Sequence, residues 1–257
     1  MTQLPPIDRA IAFPEPRFPK DDEPKRLPRI ALQHLADHDG SHDYAYSWGY
    51  TIFRTVYTPG SDEAVARAVD RLAVYAKHWA RTNERSRPRL GQPFDARPNE
   101  ELCSRYYSEV VQDEQALAGA SESEVGDMFD AWIRQHRRAP TTTARPCPNA
   151  RFMYCLMLDQ ETIDNILALP EDPHARRGGH VASEEDEGKL WVKMITNRAK
   201  SEGGRWWLRV GLRDYLWPVW FSPSDPDIVL EQMGWEDPKD GVQNVWGYPG
   251  DWHRETM

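Results

Sequence analysis

Arg54 stands where the apolar side of a strand should continue. In the stretch SWGYTIFRTVY, alternation puts Tyr44, Tyr46, Trp48, Tyr50, Ile52, Arg54 and Val56 on one face, and that face is strongly aromatic. A guanidinium on such a face must meet a carboxylate, a cluster of carbonyls, a ring face or a bound anion, or else lose the solvation of its charge uncompensated. Two roles follow. Arg54 is either structural, as an internal salt bridge or a strand end reaching solvent, or the anchor of an anionic ligand in a ring-lined pocket. For the second role Tyr46, Trp48 and Tyr50 are the expected wall, joined by Trp206 and Trp207 from a later strand, RWWLRVGL.

Other residues of chemical interest read more simply. His34, His38 and His42 have the i, i+4, i+8 spacing of one helical stripe suited to a transition metal, but Gly40 interrupts it and no HExxH pattern is present, so a solvated turn is expected and no metal. HARRGGH offers Arg and Gly to a phosphate, yet no strand leads into it and SEEDEG follows as compensating acid. Cys155 in an apolar run and Cys103 beside two tyrosines read as small core hydrophobes. Asp159 is placed to cap a helix. There is no GxSxG, and no cofactor is implied.

The composition excludes whole classes of partner. A formal charge of -9 over 257 residues repels phosphate polymers, so nucleic acid is disfavoured despite the local clusters ARTNERSRPRL and RQHRRAP. Three Cys fit a reducing compartment rather than a disulfide framework. The opening residues lack a continuous apolar run and no later segment is long enough to span a bilayer, so a cytoplasmic protein without membrane contact is expected. Eleven Trp supply apolar mass for a core, while 21 Pro call for long irregular connections.

The elements that must position Arg54 are legible from period and caps. A Pro-rich arm with a short helix occupies 1–40. Strand 44–57 runs into the turn TPGSDE and an amphipathic helix to about Trp79. LCSRYYSEVVQD reads as a second strand, SESEVGDMFDAWIRQHRR as a capped helix over 122–137, and RFMYCLMLD with QETIDNILAL as strand and helix. KLWVKMIT and RWWLRVGL complete a hairpin. With 122–137 set aside as an insertion, the order is βαββαβ. That order implies an α+β protein with a ferredoxin-like core over 41–212, an antiparallel sheet and helices on one face. Residues 213–257, rich in Trp and Pro, are expected to fold over the open face.

WGYTIFRTVY and YCLMLDQETI resemble segments of a group of uncharacterised proteins from filamentous fungi. The resemblance covers about the central two thirds of the chain, implies no activity, and carries over no site residue. The functional expectation therefore rests on the aromatic face. It is a small-molecule-binding protein, extending to a cofactor-independent enzyme of the αβ-barrel kind. The alternative is a non-catalytic interaction protein whose aromatic surface docks a protein partner or a second copy as a homodimer.

Overall fold

The structure is a computed structural model that describes residues 4–12, 27–37, 43–82, 95–136, 149–173, 190–199, 205–212, 216–221, 234–236 and 243–245. In chain order it contains α1 (Arg9–Ala12), α2 (Leu27–Asp37), β1 (Thr51–Arg54), α3 (Ser61–Thr82), α4 (Arg97–Ser104) and β2 (Glu109–Val111). Then come α5 (Glu114–Leu117), α6 (Glu122–His136), a 3-10 turn (Ala150–Phe152), β3 (Tyr154–Leu158) and α7 (Gln160–Leu167). Finally there are β4 (Trp191–Ala199), β5 (Arg205–Gly211), α8 (Leu216–Phe221), β6 (Gly234–Glu236) and β7 (Gln243–Val245). No described helix is long and apolar enough to cross a membrane.

The class is α+β as expected, but the pairing is not that of a ferredoxin-like core. The strand order is β2-β1-β3-β4-β5-β7-β6. β1 is parallel to both β2 and β3, and β4 is antiparallel to β3 and β5. The helix at 122–136 explains the difference, because it is a crossover and not an insertion. From β1 the chain passes through α3 and α4 to β2 on one side, then through α5 and α6 to β3 on the other side of β1. Crossovers between parallel strands keep one hand, so a step outward and a step back must place their helices on opposite faces of the sheet.

The core divides accordingly. On one face Ile52, Leu156, Met194 and Leu208 lie side by side under α2, α3, α4, α7 and α8. On the other, Phe53, Met157, Cys155 and Ile195 meet Val125, Phe129 and Trp132 of α6. Both faces are therefore covered by helices, and this is why YCLML is apolar at every position and buried at every position. Described residues of the C-terminal extension do pack on the core, but on the face of α3. Trp217 and Phe221 stack around Trp48, and Trp220 Nε1 donates to the Gly49 carbonyl at 2.9 Å. The second face, expected to await this extension, is occupied by α6.

The opening strand is shorter than its alternation suggests. Residues 43–46 form a turn in which Tyr46 has φ 63°, and regular pairing starts at Thr51 after a single bridge from Trp48 to Tyr106. That turn sends Tyr44 to the α6 face while Trp48 and Tyr50 go to the α3 face. In the segment expected as a second strand, α4 takes residues 97–104 with Pro98 in its first turn, and only 109–111 pairs with β1.

Candidate functional site

Arg54 is the last residue of β1, 4% exposed, facing the start of α3. Every nitrogen of its guanidinium is engaged. Nε donates to the Val56 carbonyl at 2.7 Å, Nη1 to Gln112 Oε1 at 3.2 Å and Nη2 to Ser61 Oγ at 2.8 Å. Nη2 also pairs with Asp62 Oδ1 at 2.5 Å, and the group sits over the Tyr57 ring at 4.5 Å. Ser61 and Asp62 open α3, so the cation lies at the helix end that favours an acid partner. Gln112 follows β2 directly, and the Asp113 amide donates to Tyr57 Oη at 2.9 Å. Burial pushes the Tyr57 phenol above its ordinary value, with Asp113 and Arg54 opposing it.

The surroundings of Arg54 are unequal in exposure. The Asp62 side chain is 90% exposed and Gln112 is exposed, whereas Ser61 is buried. Two of the partners that hold the cation thus face solvent. This is also where the chain divides, since α3 leaves the end of β1 for one face and α5 and α6 leave the end of β2 for the other. In open sheets with parallel strands, such a divergence leaves a crevice outside the carboxyl ends of the strands.

The expected aromatic wall does not gather around Arg54. Trp48 and Tyr50 are fully buried in the core of the α3 face. Trp48 Nε1 donates to the Leu102 carbonyl and the Tyr50 hydroxyl to the Leu216 carbonyl, each at 2.6 Å. Tyr46 lies in the turn before β1, and its carbonyl accepts from Arg105 Nη1. Trp207 belongs to the opposite face, over Lys193 Nζ at 5.1 Å. Trp206 is within β5, and its side chain lies outside the described residues. Tyr57 supplies the ring at Arg54, and sequence alternation assigned it to the other face.

A second charged group sits further along the same edge. Lys193 Nζ lies 2.6 Å from Glu122 Oε1 and 2.7 Å from Asp159 Oδ2. Burial pulls this lysine down, but hydrogen bonds to Asp159 and Glu122 outweigh it and hold the ammonium above its ordinary value. Burial would raise Asp159, yet Lys193 and the Thr162 amide keep it lowered. A lysine held in its charged form is no base or nucleophile, so its work is to tie the start of α6 to β3 and β4. Asp159 caps α7 as expected, accepting from Thr162 N at 2.8 Å.

No family model matches the chain, and no curated protein or solved structure matches it. The site is therefore read from its own geometry.

The remaining sequence expectations divide by position. Cys103 and Cys155 are buried in the core, and burial raises the Cys103 thiol, which makes it a poor nucleophile. His34 lies in α2, while His38, His42, HARRGGH and SEEDEG are outside the described residues.

Sequence reading missed a cluster at the opposite, amino end of the same strands. Arg151, fully buried in the 3-10 turn, lies 4.7 Å from the Tyr44 ring and 5.8 Å from that of Tyr107, and its Nη2 donates to the Tyr107 carbonyl. Tyr44 Oη donates to Glu109 Oε2 at 2.5 Å, and Trp132 Nε1 to the same oxygen at 3.2 Å. Burial pulls Arg151 down to about 10, and burial together with Glu109 pushes the Tyr44 phenol well up. The only sequence signal was a cation at the head of an apolar run.

Proposed function

We propose that the protein binds a small molecule bearing an acid group at the carboxyl edge of its sheet, with Arg54 as the anchor. The observation that carries this reading is a coincidence of position: the one cation buried at the end of β1 sits where the connections after β1 and β2 part to opposite faces. The ligand's acid group would take the place of the exposed Asp62 carboxylate, leaving Ser61 and the Val56 carbonyl to hold the guanidinium. Gln112 and the Tyr57 ring would meet the remainder of the molecule. Tyr57 replaces Tyr46, Trp48 and Tyr50 in this role, because those three are engaged elsewhere.

Catalysis without a cofactor is the extension of this reading, with exposed Asp113 and Glu114, whose charges act on Tyr57, as the acids. Membership of the fungal group is part of the same proposal and rests on the segment at 48–57. The interaction reading has less in its favour: among the described residues Val74 is the one exposed large hydrophobic, so no apolar patch of interface size supports docking.

Native mass spectrometry of the wild type and of Arg54→Met tests the proposal and its alternative together. A small-molecule mass retained by a wild-type monomer and absent from Arg54→Met is expected. A ligand-free dimer would favour self-association instead.

A further inference from the structure

Three arginines are buried among the described residues: Arg54, Arg105 and Arg151. The first two are satisfied at every nitrogen. Arg105 donates through Nε to Glu101 Oε1 at 2.7 Å and through Nη1 to the Pro5 carbonyl at 2.9 Å, while Nη2 lies 2.5 Å from Glu101 Oε1. Arg151 is different. Its Nε and Nη1 are buried and meet no acceptor, although its side chain is the most enclosed of the three. A chain that closes two such forks and leaves the third with two open donors carries a cost that is ordinarily removed by an acceptor.

The neighbours define what that acceptor must be. Glu109 is the nearest acid, but its Oε2 is committed to Tyr44 and Trp132 and it makes no ion pair with Arg151 among the described residues. Tyr44, Tyr107, Trp132 and Phe152 pack ring to ring beside the guanidinium. Asp43, paired with His136 at 3.4 Å next to the Tyr44 ring, is another carboxylate nearby. Glu109 already acts on the Arg151 charge, so a dianion such as phosphate would meet stronger repulsion from Glu109 and Asp43 than a single carboxylate does. Half-buried Tyr107 and Ser108 precede β2, the edge strand that half-buried Glu109 opens, and a small ligand would enter from this side.

We infer that Arg151, with Tyr44 and Glu109 beside it, forms a second site that takes a small monocarboxylate at the amino end of the sheet. The carboxylate accepts from the open Nη1–H, and its organic part contacts the surrounding rings. This site is independent of the one at Arg54, which lies beyond the other end of β1.

Saturation-transfer NMR with acetate, on the full chain, tests it. In Arg54→Met, where the other proposed acid site is absent, acetate is expected to bind; adding Arg151→Met to that background is expected to weaken binding at least about tenfold, and inorganic phosphate is expected not to displace it. Isotope-filtered NOEs from the acetate methyl to the Trp132 and Phe152 rings locate the ligand in the wild type without reliance on any variant, since the ring at Arg54 is Tyr57. The inference is overturned if wild type takes up no acetate, if its methyl shows no NOE to Trp132 or Phe152, if adding Arg151→Met to Arg54→Met leaves binding unchanged, or if phosphate competes. Loss of binding in Arg54→Met with retention in Arg151→Met would assign the acetate to the other end of β1 and overturn it as well.

Discussion

Ser61 Oγ lies 2.8 Å from Nη2 of Arg54, so the first residue of α3 closes on the last residue of β1. The strand end and the helix start are thereby joined by a buried charge rather than by apolar contact alone. Removing that charge strands the polar groups arranged around it. Arg54→Met is expected to lower stability by about 2–3 kcal/mol, as lost charge-assisted bonds do when part of their surroundings can rehydrate. Arg54→Lys should recover only part of this, since an ammonium cannot span Val56, Ser61 and Gln112 together. Urea unfolding midpoints measure both, and an unchanged midpoint in Arg54→Met would show that the network contributes nothing.

Trp217 is 1% exposed and meets Trp48 edge-on at a centroid distance of 6.1 Å. If α8 is a working part of the core, Trp217→Ala should cost about 3–5 kcal/mol, the usual loss for a large buried aromatic. A loss below about 1 kcal/mol would mean the extension is only loosely seated.

Gly49 and Gly60 both have positive φ, at 124° and 82°, but in different company. A Cβ on Gly49 would collide with the Tyr107 carbonyl, whereas one on Gly60 would meet open space. Gly60→Ala should cost about 1 kcal/mol of backbone strain, and Gly49→Ala more than about 2 kcal/mol because β1 and the start of β2 must also separate. Thermal unfolding of the two variants in parallel decides this, and equal losses would contradict the close approach.

Asp159 and Lys193 set a pH dependence of known sign. The folded protein lowers the Asp159 value, so its contribution is complete above about pH 4 and drains away as pH falls through the folded value. Lys193 is raised, so its contribution is complete below about pH 10 and is lost as pH climbs through the folded value. Asp159→Asn keeps a capping side chain and removes the charge. The stability gap between wild type and Asp159→Asn should hold steady from neutral to mildly alkaline pH and shrink in acid. A gap that persists undiminished in acid would show that the ion pair is not its source.

Much of the architecture was legible because helix and strand periods are local properties. The helices at 61–82, 122–136 and 160–167 and the strand at 154–158 lie close to where period and caps put them. Strand neighbours are not local, and setting 122–137 aside as an insertion removed the element that makes β2 and β3 parallel. Tyr44 escaped its expected face because a single residue, Tyr46 with φ 63°, breaks the alternation on which facing was counted. At the site, Arg54 was legible as a cation out of pattern. Its partners Ser61 and Gln112 were not, since they arrive from different elements. Arg151 was hidden because its two ring neighbours arrive from residues 44 and 107, on either side of β1.

The central claim is that Arg54 exchanges its exposed partner for a ligand acid. The most direct measurement is the affinity of glycolate, a small hydroxy acid, for the protein, Asp62→Asn and Arg54→Met by isothermal titration calorimetry, each in an Arg151→Met background that silences the second carboxylate site. Removing the competing carboxylate should tighten binding by roughly threefold to tenfold in Asp62→Asn, and removing the cation should weaken it by at least about tenfold in Arg54→Met. Equal affinities across the three proteins, or weaker binding by Asp62→Asn, would contradict the claim and leave Arg54 as a structural link between β1 and α3.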